Sequence, residues 1–326
     1  GCTGYIGGTF CYEALKKGYK IIGIDNLSNS NQSIAETFKK KFRNNFYFVK
    51  KDILDNDAFV GISSADKIDA VIHFAALKSV PESEMYPELY LKNNIEGTKK
   101  IIEILPNLSI KKLIFSSSAA VYGNQKVQPV TEDMVVDPLS TYAKTKRICE
   151  EHIENASQNK KLNAISLRYF NPLGSHSDKV IKEKFIDGSG SIMSNIIKTT
   201  LGLNENLTIF GDDYDTKDGT GERDYIHIMD IIDGHFKALD KLDHINGHEI
   251  INLGTGRAYS VFELINTFQR VNNVKIATTI VGKREGDLAT SYANPDKAKR
   301  ELNWYARYNL DEMCRDAWDS VKSEFK

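Results

Sequence analysis

Three glycines spaced three residues apart open the chain, in the string Gly1-Cys-Thr-Gly4-Tyr-Ile-Gly7. Residues 5–17 have the pattern of a helix, and residues 20–25 have the pattern of a strand that ends in an acid. Glycines at this spacing let the backbone turn tightly and approach a pyrophosphate, which binds at the helix N-terminus. The loop, helix and strand therefore predict a dinucleotide-binding α/β unit.

The position of Asp25 predicts which dinucleotide binds. Asp25 ends the strand 18 residues after Gly7. An acid there accepts hydrogen bonds from both ribose hydroxyls, so it favours NAD over NADP. The alternative is that Asp25 only caps a turn.

Apolar runs and helical patterns alternate along the rest of the chain. They predict a doubly wound parallel sheet, Rossmann-like, with a second, smaller α/β substrate domain. We place the NAD-binding domain at residues 1–172, with return segments near 224–254, and the substrate domain at 173–326. The polar segment 175–190 is interpreted as the crossing between them. Predicted strands are 45–49, 70–74, 112–115, 163–168, 207–210 and 249–253, and predicted helices are 87–105, 192–201 and 229–242.

A dinucleotide fold also needs a strand before the glycine loop, at the centre of its sheet. The chain as given begins at Gly1, inside that loop. We therefore expect a first strand of about ten residues, by comparison with related proteins, to be missing before Gly1. A chain expressed from Gly1 is expected to fold poorly.

Composition excludes several classes of protein. The 326 residues carry a net charge of -1, so nothing indicates nucleic-acid binding. The four cysteines lack metal or redox spacing and are interpreted as reduced thiols of a cytoplasmic protein. No apolar run in the sequence is long enough to span a bilayer, and we expect no signal peptide. We expect no metal site, because the acidic loop at 212–220 lacks the oxygen spacing of a calcium loop. His73, in an apolar strand, is interpreted as a core residue.

The segment between Ser118 and Lys146 carries the predicted chemistry. Ser118 follows a short apolar strand, and Tyr142 and Lys146 are four apart in a helical pattern, so they share one helix face. An ammonium group near a phenol lowers the pKa of the phenol, because the cation favours the phenolate. A nearby serine hydroxyl can hold a substrate oxygen. This combination suits removal of a proton from an alcohol while hydride leaves the same carbon.

The order of Ser118, Tyr142 and Lys146 downstream of a glycine loop resembles the extended short-chain dehydrogenase/reductase family. Longer strings, Phe115-Ser-Ser-Ser-Ala-Ala-Val-Tyr-Gly123 and Arg168-Tyr-Phe-Asn-Pro-Leu-Gly174, resemble the UDP-glucose 4-epimerases within that family. Arg223-Asp-Tyr-Ile-His227 and Arg284-Glu-Gly-Asp287 match the same group. The resemblance covers the chain almost from end to end.

The resemblance implies an isomerase that epimerises C4 of a UDP-hexose with bound NAD, and it implies a homodimer formed through helices in the 86–105 and 141–158 regions. Lys78, which follows the strand at 70–74, is also predicted from its position to contact the cofactor. The implied catalytic residues are Ser118, Tyr142 and Lys146. The cofactor-binding residues are Gly1, Gly4, Tyr5, Ile6, Gly7, Asp25, Asn26, Asn29, Ser30, Asp52, Ile53, Phe74, Ala75, Ala76, Lys78, Asn93, Tyr142, Lys146, Tyr169 and Phe170. The substrate-binding residues are Ser118, Tyr142, Asn171, Ser191, Ile192, Phe210, Arg223, Arg284, Asp287 and Ser291.

Other functions stay open at this point. A 4,6-dehydratase of the same family needs an acid pair just after the strand-end serine, where this chain has Ala119-Ala120. A uronate epimerase or decarboxylase is a nearer alternative. A non-catalytic NAD-binding regulator is disfavoured because Ser118, Tyr142 and Lys146 are all intact.

Ser291 bears on which hexoses fit. By resemblance it occupies a position beside the C2 substituent of the sugar, where relatives have either tyrosine or a small residue. A small residue leaves room for an N-acetyl group, so we expect UDP-N-acetylhexosamines to be substrates as well. Ser191 stands where many relatives have asparagine, which reshapes the pocket near the pyrophosphate. The alternative is that Ser291 is only a small residue under a turn.

Overall fold

A computed structural model describes residues 1–62, 67–160, 162–181, 190–284 and 286–322. Half of the predicted crossing at 175–190, residues 182–189, therefore lies outside the described residues. The strands are β1 (Ile21–Asp25), β2 (Phe46–Lys50), β3 (Val71–His73), β4 (Lys112–Ser118), β5 (Asn163–Tyr169), β6 (Asn171–Leu173), β7 (Leu207–Phe210), β8 (Glu222–Arg223), β9 (Tyr225–His227), β10 (His248–Leu253), β11 (Tyr259–Ser260), β12 (Thr278–Val281) and β13 (Thr290–Ser291).

Helices alternate with these strands, as the sequence predicts. They are α1 (Tyr5–Lys16), α2 (Gln32–Phe42), α3 (Val80–Met85), α4 (Pro87–Tyr90), α5 (Gly97–Ile104), α6 (Thr141–Lys160), α7 (Ile192–Thr200), α8 (Ile228–Lys241), α9 (Val261–Asn272), α10 (Asp296–Leu302) and α11 (Leu310–Asp319).

The parallel strands of the nucleotide-binding half are confirmed. Strands β3, β4, β5 and β10 form one parallel sheet in the order β10-β5-β4-β3, and β1 pairs in parallel with β2. Because β10 lies beside β5, the chain returns to this sheet after the segment that carries β7, β8 and β9. Gly1 and Cys2 lie against β1, where the backbone N–H of Cys2 donates to Ile24 O at 3.4 Å.

Helices cover both faces of the four-stranded sheet, which makes the fold doubly wound. Leu113 and Phe115 of β4 point to a core shared with α5 and α6, whereas Ile114 points to a core shared with α8. This alternation follows from the period of two along a strand. A separate core joins α7, β7, α9 and α11. It supports the predicted substrate domain, although the boundary at residue 172 stays a prediction.

One local prediction needs refinement and another was wrong. The single helix predicted for 87–105 is continuous over 87–104, but it contains a π-helical stretch, Leu91–Glu96, between α4 and α5. That wider turn carries Asn94, whose side chain hydrogen bonds both backbone groups of Leu77, at 2.9 and 3.0 Å. The strand predicted as buried at 70–74 is shorter, and within β3 only His73 is buried, because β3 pairs with β4 alone among the described strands.

Candidate active site

The structure brings Ser118, Tyr142 and Lys146 together between β4 and α6. Ser118 is the last residue of β4, and Tyr142 is the second residue of α6. The Ser118 hydroxyl, which accepts from the Ala120 N–H at 3.2 Å, lies near enough to the Tyr142 phenol to lower its pKa. The Lys146 Nζ donates to the carbonyl oxygen of Ser116 at 2.7 Å and lies 5.9 Å from the centre of the Tyr142 ring. Tyr142 and Lys146 lie close together because they are four residues apart on one helix face. Ser118 reaches them because it ends the strand β4.

Burial controls the ionisation of this group. Burial raises the pKa of Tyr142, and the hydrogen bond with Ser118 only partly offsets that rise. Burial also lowers the pKa of Lys146 to about 8, against the opposing charges of Cys149 and Glu150. The prediction that Lys146 brings the pKa of Tyr142 below its ordinary value was therefore wrong for the chain without ligands. Desolvation of a partly buried phenol outweighs an ammonium group at this distance.

A buried ion pair lies one turn beyond Lys146 on α6, next to the predicted catalytic group, and the sequence analysis missed it. Glu150, one turn beyond Lys146 on α6, accepts hydrogen bonds from Arg168 Nε at 2.9 Å and from Arg168 Nη2 at 2.7 Å. The Ser117 hydroxyl donates to Glu150 at 2.6 Å. These bonds join α6, which carries Tyr142 and Lys146, to β4 and β5. The signal in the sequence was the acid four residues after Lys146.

The glycine loop forms a cradle that side chains would fill. A Cβ at Gly7 would lie 2.0 Å from the carbonyl oxygen of Gly1, and a Cβ at Gly1 would lie 2.6 Å from the backbone nitrogen of Ala75. Gly4 is the N-cap of α1, and no described side chain caps that helix. The N-terminus of a helix favours an anion, so this glycine cradle fits the pyrophosphate of a dinucleotide.

Asp25, the predicted ribose contact, lies beside this cradle. Its carboxylate accepts from the backbone N–H groups of Thr3 at 3.0 Å and Leu27 at 2.9 Å, and from the Ser30 hydroxyl at 3.2 Å. Thr3, which the sequence analysis did not single out, also hydrogen bonds Ser30 at 2.7 Å. Asp25 therefore caps a turn and also lies beside the loop, so the two readings of this residue are compatible.

The remaining predicted cofactor residues surround the same cradle. The Asn26 side chain donates to Asp52 at 2.7 Å, and Asn29 follows in the same partly exposed loop. The Ile53 side chain packs against Gly97 in the core, so only its backbone is available to a ligand. Phe74 and Ala75 abut Gly1, with Ala76 and the exposed Lys78 next in the chain.

Several other predicted contacts are restricted to the backbone. The Tyr5 hydroxyl donates to Gly174 O at 2.6 Å, and Tyr169 shares a hydrogen bond of 2.6 Å with His235. Phe170 is buried, whereas Asn171 is exposed at the start of β6. Ile6 packs in the core beside α8, and the Asn93 amide donates to its neighbour Asn94 at 2.9 Å. His73 hydrogen bonds Thr98 at 3.0 Å in the core, as expected.

A second cluster gathers the predicted nucleotide-sugar residues. Asp287 contacts Arg284 at 2.9 Å and Arg223 at 3.7 Å, and the Arg284 guanidinium lies 4.4 Å from the centre of the Phe210 ring. Ser291 on β13 pairs in register with Arg223 on β8. Two arginines beside an aromatic ring and an acid offer contacts for phosphate, base and ribose.

Ser191 and Ile192 lie at the start of α7. Ser191 is the N-cap and accepts from the Ser194 N–H at 3.2 Å, and Ile192 is the first helical residue.

Asp224 connects this half of the molecule to the parallel sheet, and the sequence analysis missed it. Its carboxylate accepts from Thr255 N–H, Gly256 N–H and Ala293 N–H at 2.9–3.2 Å.

No group of His, Cys, Asp or Glu side chains that could hold a metal ion occurs in the described parts of the chain. Nor is any helix in those parts long and apolar enough to cross a membrane.

Comparisons with known proteins agree with this geometry. Residues 1–317 match the family model described as GDP-mannose 4,6 dehydratase. A UDP-glucose 4-epimerase from Bacillus subtilis is 40% identical over 319 residues, 98% of this chain and 94% of that protein. The UDP-glucose 4-epimerase GEPI48 from Cyamopsis tetragonoloba is 44% identical over 98% of this chain and 93% of its own length. The chain belongs to the UDP-glucose 4-epimerase family.

A solved member of the UDP-glucose 4-epimerase family has nearly the same fold. The enzyme from Stenotrophomonas maltophila, with bound NAD and formylated UDP-arabinopyranose, superposes with a TM-score of 0.94 at 38% identity, over 99% of this chain and 96% of that chain. The family model is named after a dehydratase, yet the curated relatives above are epimerases. This agrees with Ala119-Ala120, which leaves no acid pair after Ser118.

Proposed function

We propose that this chain interconverts UDP-glucose and UDP-galactose by reversing the configuration at C4, with NAD held through each turnover. The observation that carries the proposal is the grouping of Ser118, Tyr142 and Lys146 where β4 meets α6, with Lys146 Nζ on the Ser116 carbonyl oxygen at 2.7 Å and 5.9 Å from the Tyr142 ring centre. The crystal structure of a UDP-glucose 4-epimerase from Bifidobacterium longum contains NAD+ and UDP, which supports NAD as the cofactor and a UDP-sugar as the substrate of this chain.

The chain's own residues handle the proton. Tyr142 accepts the proton of the C4 hydroxyl at its phenol oxygen and later returns it, while Ser118 hydrogen bonds the same substrate oxygen. NAD, when bound, takes up hydride from C4 and gives it back. Because burial raises the pKa of Tyr142, the phenolate needs positive charge nearby, and the ammonium group of Lys146 supplies part of it.

NAD is held by the residues of the cradle. The N–H groups at the start of α1 bind its pyrophosphate, and the carboxylate of Asp25 binds a ribose. The contacts of Arg223, Arg284 and Asp287 to UDP keep the nucleotide fixed. The hexose is then free to turn and present either face at C4, so contacts to UDP should outnumber contacts to the sugar.

We infer that the substrate range includes the N-acetyl UDP-hexosamines. Ser291 is a small, partly buried residue next to the Arg223 strand. A relative from Campylobacter jejuni, 33% identical over 98% of this chain, is described as a UDP-Glc/GlcNAc 4-epimerase. A tyrosine at position 291 would crowd an N-acetyl group during rotation of the sugar.

We also infer a homodimer. Apolar side chains on α3 and α4 are exposed: the side chain of Met85 is 65% exposed and that of Leu89 is 50% exposed. This face adjoins α6, because the Tyr142 N–H donates to the Ser83 hydroxyl at 3.1 Å. Light scattering should give twice the chain mass for the wild type and the single mass for Leu89→Glu. Val60→Glu, at a site 74% exposed elsewhere, is the matched control.

We place the enzyme in galactose metabolism and in the cytoplasm. All four cysteines are free and buried, which suits a reducing compartment.

The proposed function is tested by product analysis. Purified protein with NAD is incubated separately with UDP-galactose and UDP-glucuronic acid, and the products are separated by chromatography. UDP-glucose should form from UDP-galactose, with little conversion of the uronate. Conversion of the uronate alone would replace this proposal with a uronate epimerase or decarboxylase, and bound NAD without any conversion would favour a regulator.

A further inference from the structure

The first turn of α6 carries Tyr142, yet a helix cannot hold its own first turn. Tyr142 is the second residue of α6. The first four N–H groups of a helix have no acceptor within that helix, so other groups must accept them. A reacting group must also be placed accurately, because a displacement of about 1 Å can cost about 100-fold in rate. The position of the Tyr142 phenol therefore depends on what caps this end of α6.

Two side chains of α3 supply acceptors for the first turn of α6. The Tyr142 N–H donates to the Ser83 hydroxyl oxygen at 3.1 Å, and the Thr141 N–H donates to Glu84 Oε1 at 2.7 Å. The next N–H group along the helix donates to the Ser140 hydroxyl at 3.1 Å. Two of the first three N–H groups of α6 are thus held from another helix, and not by the segment that leads into α6.

The Ser83 hydroxyl is oriented for this bond. Ser83 is fully buried, and its hydroxyl donates to the carbonyl oxygen of Val80 at 2.7 Å. That bond uses the only hydroxyl proton, so the oxygen is left to accept from the Tyr142 N–H. The buried Tyr90 of α4 donates to Glu82 of α3 at 2.6 Å, which holds the two short helices together. The cap on α6 therefore comes from a fixed support.

We propose that Ser83 and Glu84 are positioning residues of the reaction, which cap α6 from α3 and so hold the Tyr142 phenol where it accepts the C4 proton. The assignment rests on the proposed function, since it needs Tyr142 to be the proton acceptor. Both side chains contact the backbone of α6. They should therefore affect the rate of the chemical step and leave the affinity for UDP and for NAD unchanged.

Steady-state kinetics of Ser83→Ala with UDP-galactose test the assignment. If the typical cost of losing a helix cap falls on the transition state, kcat should fall about 2- to 30-fold. The KM for UDP-galactose, the Kd for UDP and the NAD content should keep their wild-type values. A rise in KM at unchanged kcat would place Ser83 in substrate binding and overturn the assignment.

Variants of Glu84 test the same cap without altering the core, because Glu84 is exposed. Glu84→Ala removes the acceptor for the Thr141 N–H and should also lower kcat. Glu84→Gln keeps an acceptor oxygen and should retain most of the wild-type kcat. Wild-type kcat in both Ser83→Ala and Glu84→Ala would overturn the assignment.

A cap at a distant helix separates positioning from a general structural role. The matched control is Asn309→Ala, which removes the side chain that accepts from the Glu312 N–H at 3.0 Å at the start of α11. It should lower the unfolding temperature as Ser83→Ala does, yet leave kcat unchanged. Equal losses of kcat in Ser83→Ala and Asn309→Ala would overturn the assignment alone. Absence of epimerisation by the wild type would overturn the proposed function and this assignment together.

Discussion

Arg168 and Glu150 form a bidentate ion pair in the interior, with both side chains almost fully buried. The pair joins β5 to α6, one turn beyond Lys146 on the helix that carries the proton-transfer group. Its geometry satisfies both carboxylate oxygens, and Ser117 adds a third bond. Helix α6 is therefore fixed to the sheet by charge as well as by apolar packing.

Replacing Glu150 alone should destabilise the protein strongly. Glu150→Leu leaves the Arg168 charge buried and unpaired, which typically costs about 3–5 kcal/mol. The double variant Glu150→Leu/Arg168→Met removes both charges and should recover most of that loss. Urea unfolding of the two variants and the wild type measures the difference. A single variant within about 1 kcal/mol of the wild type would contradict the assigned role of the pair.

A methyl group at Gly7 should abolish cofactor binding. The Cβ of Gly7→Ala would collide with the carbonyl oxygen of Gly1, so the loop must open and its cradle is lost. Gly282→Ala is the matched control, because nothing lies within 4 Å of a Cβ there. NAD content after gel filtration is the measurement. Equal NAD content in both variants would show that the loop does not hold the cofactor.

Acid should destabilise the fold through buried histidines. Burial lowers the pKa of His235 and of His248 to about 4, while the unfolded chain binds a proton near pH 6.5. Because folding lowers the pKa of these two bases, the stability that comes from keeping them neutral is complete above pH 6.5. It is lost as the pH falls towards 4. Lowering the pH from 7.5 to 5.5 should therefore reduce the free energy of unfolding by about 1.4 kcal/mol for each histidine.

Urea unfolding at pH 7.5 and pH 5.5 tests this linkage. The wild type should lose about 1.4 kcal/mol more than His248→Asn over that interval. The variant His244→Gln, which removes an exposed imidazole, is the matched control. The explanation is wrong if His248→Asn loses as much stability as the wild type.

The size of residue 291 should set the ratio of two activities. Ser291→Tyr replaces a small, partly buried side chain with a ring, and such crowding costs about 1–3 kcal/mol. Turnover of UDP-N-acetylgalactosamine should fall roughly 5- to 150-fold, while turnover of UDP-galactose changes little. Steady-state rates for both substrates give the ratio. An unchanged ratio would mean that specificity is determined elsewhere.

Local patterns predicted the residues that lie close in sequence or at strand ends. The four-residue spacing of Tyr142 and Lys146 and the strand end at Ser118 need only helix and strand geometry. The same holds for the glycine loop and Asp25. The strand at 249–253 was predicted to return to the first domain, but its pairing with β5 was not predicted.

Properties that arise from tertiary packing were not predicted. Arg168 lies in an apolar strand, and nothing local pairs it with Glu150. The raised pKa of Tyr142 depends on burial by distant segments, whereas the sequence indicated only the nearby lysine. The π-helical turn at Asn94 depends on its contact with Leu77. The cap that Ser83 supplies to Tyr142 joins residues 59 positions apart, so no local pattern indicates it.

Epimerisation of UDP-galactose by Tyr142→Phe tests the central claim most directly. The variant removes the proton acceptor but leaves Lys146, the cradle and the arginine cluster in place, so NAD and UDP should still bind. General acid–base groups typically supply roughly 100- to 10,000-fold in rate, and turnover to UDP-glucose should fall by that factor. NAD content and UDP affinity are measured on the same sample. Near-normal turnover with NAD bound would contradict the account.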